Sequence, residues 1–387
     1  MEYYLIFIIL VTLAIINPKN KGSKNIIGIL LGLFICTTYF NGSDWRQYEL
    51  AYEFVTLDGI LTTRYEKGYY LYMLLFKSLG INFYTFFIIT KLFVFYIFNI
   101  LIKKYNKNYY LGLCYFYVSI SLYLFIDCPF RNLIAVGITL LGQKYLLENK
   151  YYKYIVVIII ASLFHKSPLF CLGFILLQKV IKISEIKLLI LLLLIFIIFM
   201  NQEFLLKFFS KLPYFETKIQ NYIGGVFGEQ KLITLGSVEK IIFISIIILR
   251  KKILLNKYRN ILIGAILYFI AYRMGNTFQV LSRLMTYVSI FYILGILFNI
   301  DKLKKDLKYL VIIILLLYQG TVLIKTIQNQ YVYLPYTTYL TYIFKEKPSY
   351  YERYYYHINE FEKRTKKIKK VDKIENFKKK VEYNITQ

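Results

Sequence analysis

Apolar runs separated by short polar turns fill most of the chain, and it is their length rather than any internal period that predicts the elements. A run with no polar face buries itself in lipid or in the middle of a bundle, where a backbone satisfies its own donors and acceptors only as a helix. Crossings are predicted over Tyr3 to Ile16, Ile26 to Phe40, Phe83 to Ile102, Tyr109 to Ile126, Leu133 to Leu147, Tyr154 to Phe164, Leu169 to Ile181, Ile186 to Met200, Ile241 to Leu249, Ile261 to Tyr272, Leu284 to Ile300 and Leu310 to Ile327. A further run, Tyr69 to Leu79, spans about 16 Å as a helix and predicts a partly inserted element ahead of Gly80. The expected fold is all-α, a polytopic transmembrane helical bundle of about twelve spans plus that short helix over residues 1–344, with a basic polar tail over 345–387.

Lysine clusters orient this bundle. Lys19, Lys21 and Lys24, then Lys103, Lys104 and Lys107, then Lys302, Lys304 and Lys305 fall in alternate turns, which the positive-inside rule assigns to the cytoplasm. Loops 41–68 and 201–240 then lie outside, the second being long and glycine-bearing enough to act as a lid or platform. The same count leaves the tail outside although it carries thirteen Lys and Arg against seven acids, unless Tyr331 to Phe344 re-enters the membrane. The first run lacks a basic start and a small-residue cleavage site, so it reads as a span rather than a cleaved signal.

Composition agrees with a membrane protein: 58% of the 387 residues are hydrophobic and 19% aromatic, more apolar surface than one soluble core buries. The net charge of +27 does not indicate nucleic acid, because the basic residues sit in clusters between apolar runs and face anionic lipid. Cys36, Cys114, Cys128 and Cys171 lie in or beside apolar segments without metal-ligand spacing, and two histidines supply no zinc site. No Walker or dinucleotide motif occurs, so no cofactor and no metal is expected.

Candidate chemistry centres on the stretch from Pro129 to Pro168, where two apolar arms return Arg131 and His165 to one membrane edge. The topology drawn from lysines also sends Asp44, Arg46, Glu66, Arg273 and Arg283 to that outer face. Charges beside apolar segments cost several kcal/mol unless they are paired or line an aqueous cavity, so an outward-facing cavity is the economical explanation. Arg131 and Arg283 read as snorkelling anchors or as anion clamps. His165, followed by Lys166 and Ser167, reads as a packing residue or a proton-handling one. Asp44 and Glu66 are solvated loop acids or catalytic carboxylates, and Trp45 is an interface anchor or a sugar-stacking platform.

The segments GSDWRQYELAYEF at 42–54, EKGYYLYMLLFK at 66–77, FRNLIAVGITLLGQKYL at 130–146, ASLFHKSPLF at 161–170 and SRLMTYVSIFY at 282–292 resemble, in order, the EpsG family of bacterial exopolysaccharide proteins, related in role to Wzy-type polymerases. Asn132 stands where a Gln is more usual, and Lys67 where the family has Pro. The resemblance implies a bacterial plasma-membrane polymerase joining undecaprenyl-pyrophosphate-linked oligosaccharide repeats at the outer face, in exopolysaccharide, capsule or O-antigen synthesis. It implies Arg131 and Arg283 as pyrophosphate clamps, His165 as base or pyrophosphate donor, and Asp44 as the alternative base, with Glu66 as a further catalytic acid. Arg46, Trp45, Tyr48, Asn132, Lys166 and Ser167 would complete the substrate contacts. The expected partners are lipid-linked oligosaccharide, membrane lipids and other export proteins such as a flippase or chain-length regulator. A lipid-linked glycan flippase and a membrane O-acyltransferase remain the alternatives.

Overall fold

The computed structural model describes residues 1–200, 235–329 and 331–365. Among these residues the chain is helical throughout, with one isolated antiparallel bridge, Thr38 to Thr338, and no strand. Each predicted apolar run forms a helix. Several start where an Asn or Ser side chain accepts a backbone N–H: Asn20 from Gly22, Asn82 from Thr85, Asn108 from Leu111 and Ser184 from Lys187. These caps satisfy donors that the first helical turn leaves open.

The expected twelve spans do not emerge from the helix lengths. Among the described residues four helices are long and apolar enough to cross a membrane: Phe83–Tyr105, Tyr109–Asp127, Leu281–Ile300 and Lys305–Gln328. Three more, Glu2–Ile16, Tyr151–Ser162 and Ser167–Val180, are apolar but shorter. The deficit has local causes. The run expected over Leu133 to Leu147 divides at Gly142 into Phe130–Leu141 and Gln143–Leu147. The run after Pro168 opens as a 3₁₀ turn, Ser167–Leu172, before becoming α-helical. A helix of twelve residues rises about 18 Å, well short of a ~30 Å hydrocarbon core. The short helix expected after the first loop is present as Lys67–Ser78. Apolar helices of this number and length make this a membrane protein.

The bundle buries aromatic and branched residues along its axis, around Tyr109–Asp127 and the antiparallel pair Arg259–Thr277 and Met285–Ile300. At one end the chain closes on itself. Tyr39 N–H donates to Thr337 O at 3.2 Å and Tyr339 N–H to Thr37 O at 2.7 Å. Asn41 Nδ2 donates to Tyr333 O and Pro335 O, both at 2.9 Å. Residues 331–344 therefore lie along the end of the first helical hairpin rather than re-entering. The helix Tyr350–Thr365 continues from there onto the same face as loop 41–68. The described part of the expected solvated tail is thus docked, with Arg353 buried; residues 366–387, like 201–234 of the expected outer loop, lie outside the described residues.

Candidate functional site

Loop 41–68 is built to carry side chains back onto the bundle. Gly42 takes φ +90°, and a Cβ there would stand 2.5 Å from Ile126 O and 2.7 Å from Asp127 O. Only glycine permits that approach, which lets Ser43 donate to Asp127 Oδ1 through its backbone N–H at 3.0 Å and its hydroxyl at 2.8 Å. Asp44 then opens the helix Trp45–Glu53. Asp127 itself ends Tyr109–Asp127, which winds into a π-helical register from Tyr117 and stops at Cys128 with φ +54°. Irregular turns of this kind recur where a helix must aim a polar group.

From Asp44 a line of contacts runs to the hairpin. Tyr48 donates its hydroxyl to Asp44 Oδ2 at 3.5 Å, and Arg131 Nε reaches the same hydroxyl at 3.4 Å. Arg131 Nη1 pairs with Glu66, and its guanidinium lies 5.2 Å from the Tyr65 ring centroid and 6.0 Å from that of Tyr48. The pair keeps 22% and 17% side-chain exposure, enough for a ligand to approach. Glu66 is brought in by backbone: Gly68 and Tyr69 N–H groups donate to Leu163 O at 2.9 and 3.2 Å. A Cβ on Gly68 would lie 2.6 Å from Leu163 Cβ, so the motif's glycine is a contact requirement.

His165 follows on the same turn, its Nδ1 accepting the Ser167 backbone N–H at 3.3 Å. Arg283 arrives from the 3₁₀ turn Gln279–Leu284, exposed, yet near enough to act electrostatically on Asp44, Tyr123, Asp127 and His165. Asn132 positions it from behind, donating Nδ2 to Thr286 Oγ1 at 2.9 Å, which donates to Arg283 O at 2.7 Å. Burial raises the Asp44 carboxyl above its ordinary range, against the opposing pull of Arg283, Arg131 and Arg46. Burial also lowers the His165 imidazole to about 4, aided by Arg131 and Arg283 and opposed by Glu66. At neutral pH the ring is therefore uncharged. With Nδ1 accepting, its proton sits on Nε2.

Four expected residues stand differently from their anticipated parts. Trp45 is 2% exposed, with the Arg353 guanidinium 4.9 Å from its ring centroid and Tyr350 at its edge, so it offers no open stacking face. Glu66 orients Arg131 rather than standing as an unpaired carboxylate. Arg46 turns back, its Nε donating to Ser43 O at 3.2 Å and its guanidinium 5.5 Å from the Tyr354 ring centroid. Lys166 is exposed at the rim, beside His165 in sequence. Arg273, expected on the same face, is fully buried 4.0 Å from the Phe196 ring centroid, apart from the group around Asp44.

Sequence reasoning passed over two sets of residues. Asp127 and Ser43 were legible only as a turn and as part of GSD, although a carboxylate ending a wholly apolar run is itself a signal. Glu49 and Arg353 gave none, since each looks like an ordinary solvated charge. Together they form a bidentate pair at 2.6 and 2.7 Å, 7% and 4% exposed, with Arg353 also donating to the Tyr84 hydroxyl at 2.6 Å. Among the described residues no three His, Cys, Asp or Glu side chains converge as a metal set.

An all-helical membrane protein with arginines, carboxylates and one neutral imidazole gathered at one end of its bundle is the class these observations define. The chain belongs to the EpsG family, whose model matches residues 24–338 and so takes in every element of this site. Membership ties it to exopolysaccharide biosynthesis and is consistent with a glycosyltransferase-like polymerase. The chain matches no curated protein and no solved structure.

Proposed function

We propose that the chain is a multi-pass plasma-membrane polymerase that joins undecaprenyl-pyrophosphate-linked oligosaccharide repeats at the outer face. The observation that carries this reading is the run Asp44, Tyr48, Arg131, Glu66, with exposed Arg283 and neutral His165 beside it. A pyrophosphate leaving group calls for permanently charged, forked donors, and Arg131 and Arg283 supply two. Glu66 and the Tyr65 ring hold the Arg131 fork in place before substrate arrives, which lowers the reorganisation needed at the transition state.

The two proton-handling groups divide their work by environment. Asp44, with its carboxyl raised by burial, is the base that takes the proton from the acceptor sugar hydroxyl. The freed oxygen bonds to the anomeric carbon of the growing chain as the bond from that carbon to the pyrophosphate oxygen breaks, and the electron pair leaves on lipid pyrophosphate. His165 donates a hydrogen bond from Nε2–H to that leaving group, and Lys166 at the rim adds charge. Ser167 fixes the imidazole's tautomer, and Asn132 the height of Arg283.

The test is the surface glycan of a deletion strain complemented with wild type, Arg131→Ala or Asp44→Asn. Polymerase loss leaves single lipid-linked repeats accessible outside the cell in both variants. Wild-type chain length in both would overturn the reading. Repeats retained on the cytoplasmic side would indicate a flippase, and full-length glycan lacking acetyl groups an acyltransferase.

A further inference from the structure

A second cavity opens on the far side of the helix Trp45–Glu53. At 3.6 residues per turn, Glu49 and Glu53 lie about 140° and 180° round from Asp44, and Glu53 lies about 13 Å along the axis. The cavity encloses about 610 Å³ between that helix, the start of Phe83–Tyr105 and the segment leading into Tyr350–Thr365. Such a volume suits a small organic ligand. Tyr39, Tyr84 and Tyr339 form its aromatic wall, Tyr84 and Tyr339 being stacked with centroids 5.3 Å apart. Glu53, Asn82 and Lys347 form its polar rim.

The charges of this cavity select against an anion. Arg353 is spent on Glu49 and the Tyr84 hydroxyl. Lys77 Nζ donates to the backbone carbonyls of Glu53 and Val55, and Lys347 Nζ to the Tyr339 hydroxyl at 2.7 Å. The Glu53 carboxylate, by contrast, meets no hydrogen-bond donor among the described residues and is exposed at the rim. Flat rings beside an unspent acceptor and an amide fit a polyhydroxylated, uncharged or amino-bearing ligand: hydroxyls donate to the carboxylate while the sugar's C–H face lies on the rings.

We propose that this cavity is a saccharide subsite that holds the oligosaccharide portion of a repeat unit while its reacting end lies across the loop helix beside Asp44. The proposal rests on the polymerase reading, and deepens it by separating sugar recognition from pyrophosphate recognition. Glu53 is the hydrogen-bond acceptor, and Arg353 shapes the cavity wall without spending its charge on the ligand.

The experiment uses the full chain in lipid nanodiscs and the oligosaccharide released by mild acid from the producing cells' own surface polysaccharide, with inorganic pyrophosphate as comparison probe. Trp45, the only tryptophan, packs against Arg353 and Tyr350 of the cavity wall, so its emission reports occupancy. Saturable binding of the oligosaccharide is expected, weakened about tenfold or more by Glu53→Ala, as for loss of one hydrogen bond to a charged group. Glu53→Phe, which fills the cavity from an exposed position and leaves the core intact, should abolish it, while Asp44→Asn keeps it. Pyrophosphate should give no change sensitive to Glu53. Oligosaccharide affinity unchanged in both Glu53 variants, or absent in wild type, overturns the subsite. That failure is distinct from failure of the polymerase reading, which the deletion strain's glycan length decides independently.

Discussion

Replacing Arg353 by Met removes a guanidinium lying more than 300 residues from Glu49 in sequence but bonded to both oxygens of its carboxylate. The pair is 4% and 7% exposed, so each charge has been taken almost wholly out of water. An exposed pair is worth less than about 1 kcal/mol, whereas breaking a buried one by deleting a single partner costs about 3–5 kcal/mol, because the survivor remains desolvated. Glu49 would be that survivor, with the Tyr84 hydroxyl its only remaining neighbour among the groups bonded to Arg353. The double variant Glu49→Met with Arg353→Met removes both desolvation costs and should recover most of the loss. The assay is denaturation of the purified protein in mixed micelles, followed by helical circular dichroism, for wild type, both single variants and the double. The cycle should give a coupling of a few kcal/mol. A loss under about 1 kcal/mol in Arg353→Met, or a double variant no better than the sum of the singles, would refute the claim that the tail helix is held by a buried ion pair.

Three further outcomes are expected. Arg131→Lys should lose polymer nearly as completely as Arg131→Ala, a rate loss of about 10²–10³-fold, because the fork rather than the charge is needed; the swap Arg131→Glu with Glu66→Arg should restore thermal stability but not polymer length. Gly68→Ala places a Cβ 2.6 Å from Leu163 Cβ and 2.9 Å from Leu163 O, and should cost about 1–3 kcal/mol in a micelle denaturation while shortening the glycan. His165 has its folded pKa lowered to about 4 from 6.5, so the unfolded chain binds its proton first as pH falls. Wild type should therefore lose up to ~3 kcal/mol relative to His165→Gln between pH 6.5 and 4, with no difference above pH 7, as read from denaturation midpoints across that range.

How much of this was legible depends on the reach of each signal. Helices were legible because an apolar run has no other way to satisfy its backbone. Their lengths were not, because the break at Gly142 and the 3₁₀ entry at Ser167 are set by packing rather than by hydropathy. Asp44, Arg131, His165 and Arg283 stood out as polar groups at apolar edges, and the structure brings them to one end of the bundle. Trp45 and Glu66 were misjudged in role because their partners, Arg353 and Arg131, arrive from remote segments. Glu49 was invisible for the same reason: a solvated glutamate and a buried one look alike until the partner is known.

The clasp between the first loop and the tail helix also sets an order of events during synthesis. Glu49 leaves the ribosome 304 residues before Arg353, which at about 5–20 residues per second is roughly 15–60 s. Until then the helix that carries Asp44 and Tyr48 lacks the group that seats its opposite face. A chain cut short before residue 353 would insert its apolar helices and still leave that loop unanchored. The last stretch to be made thus works as a proof of completion, and a truncated copy in the membrane would not be left holding lipid-linked sugars it cannot join.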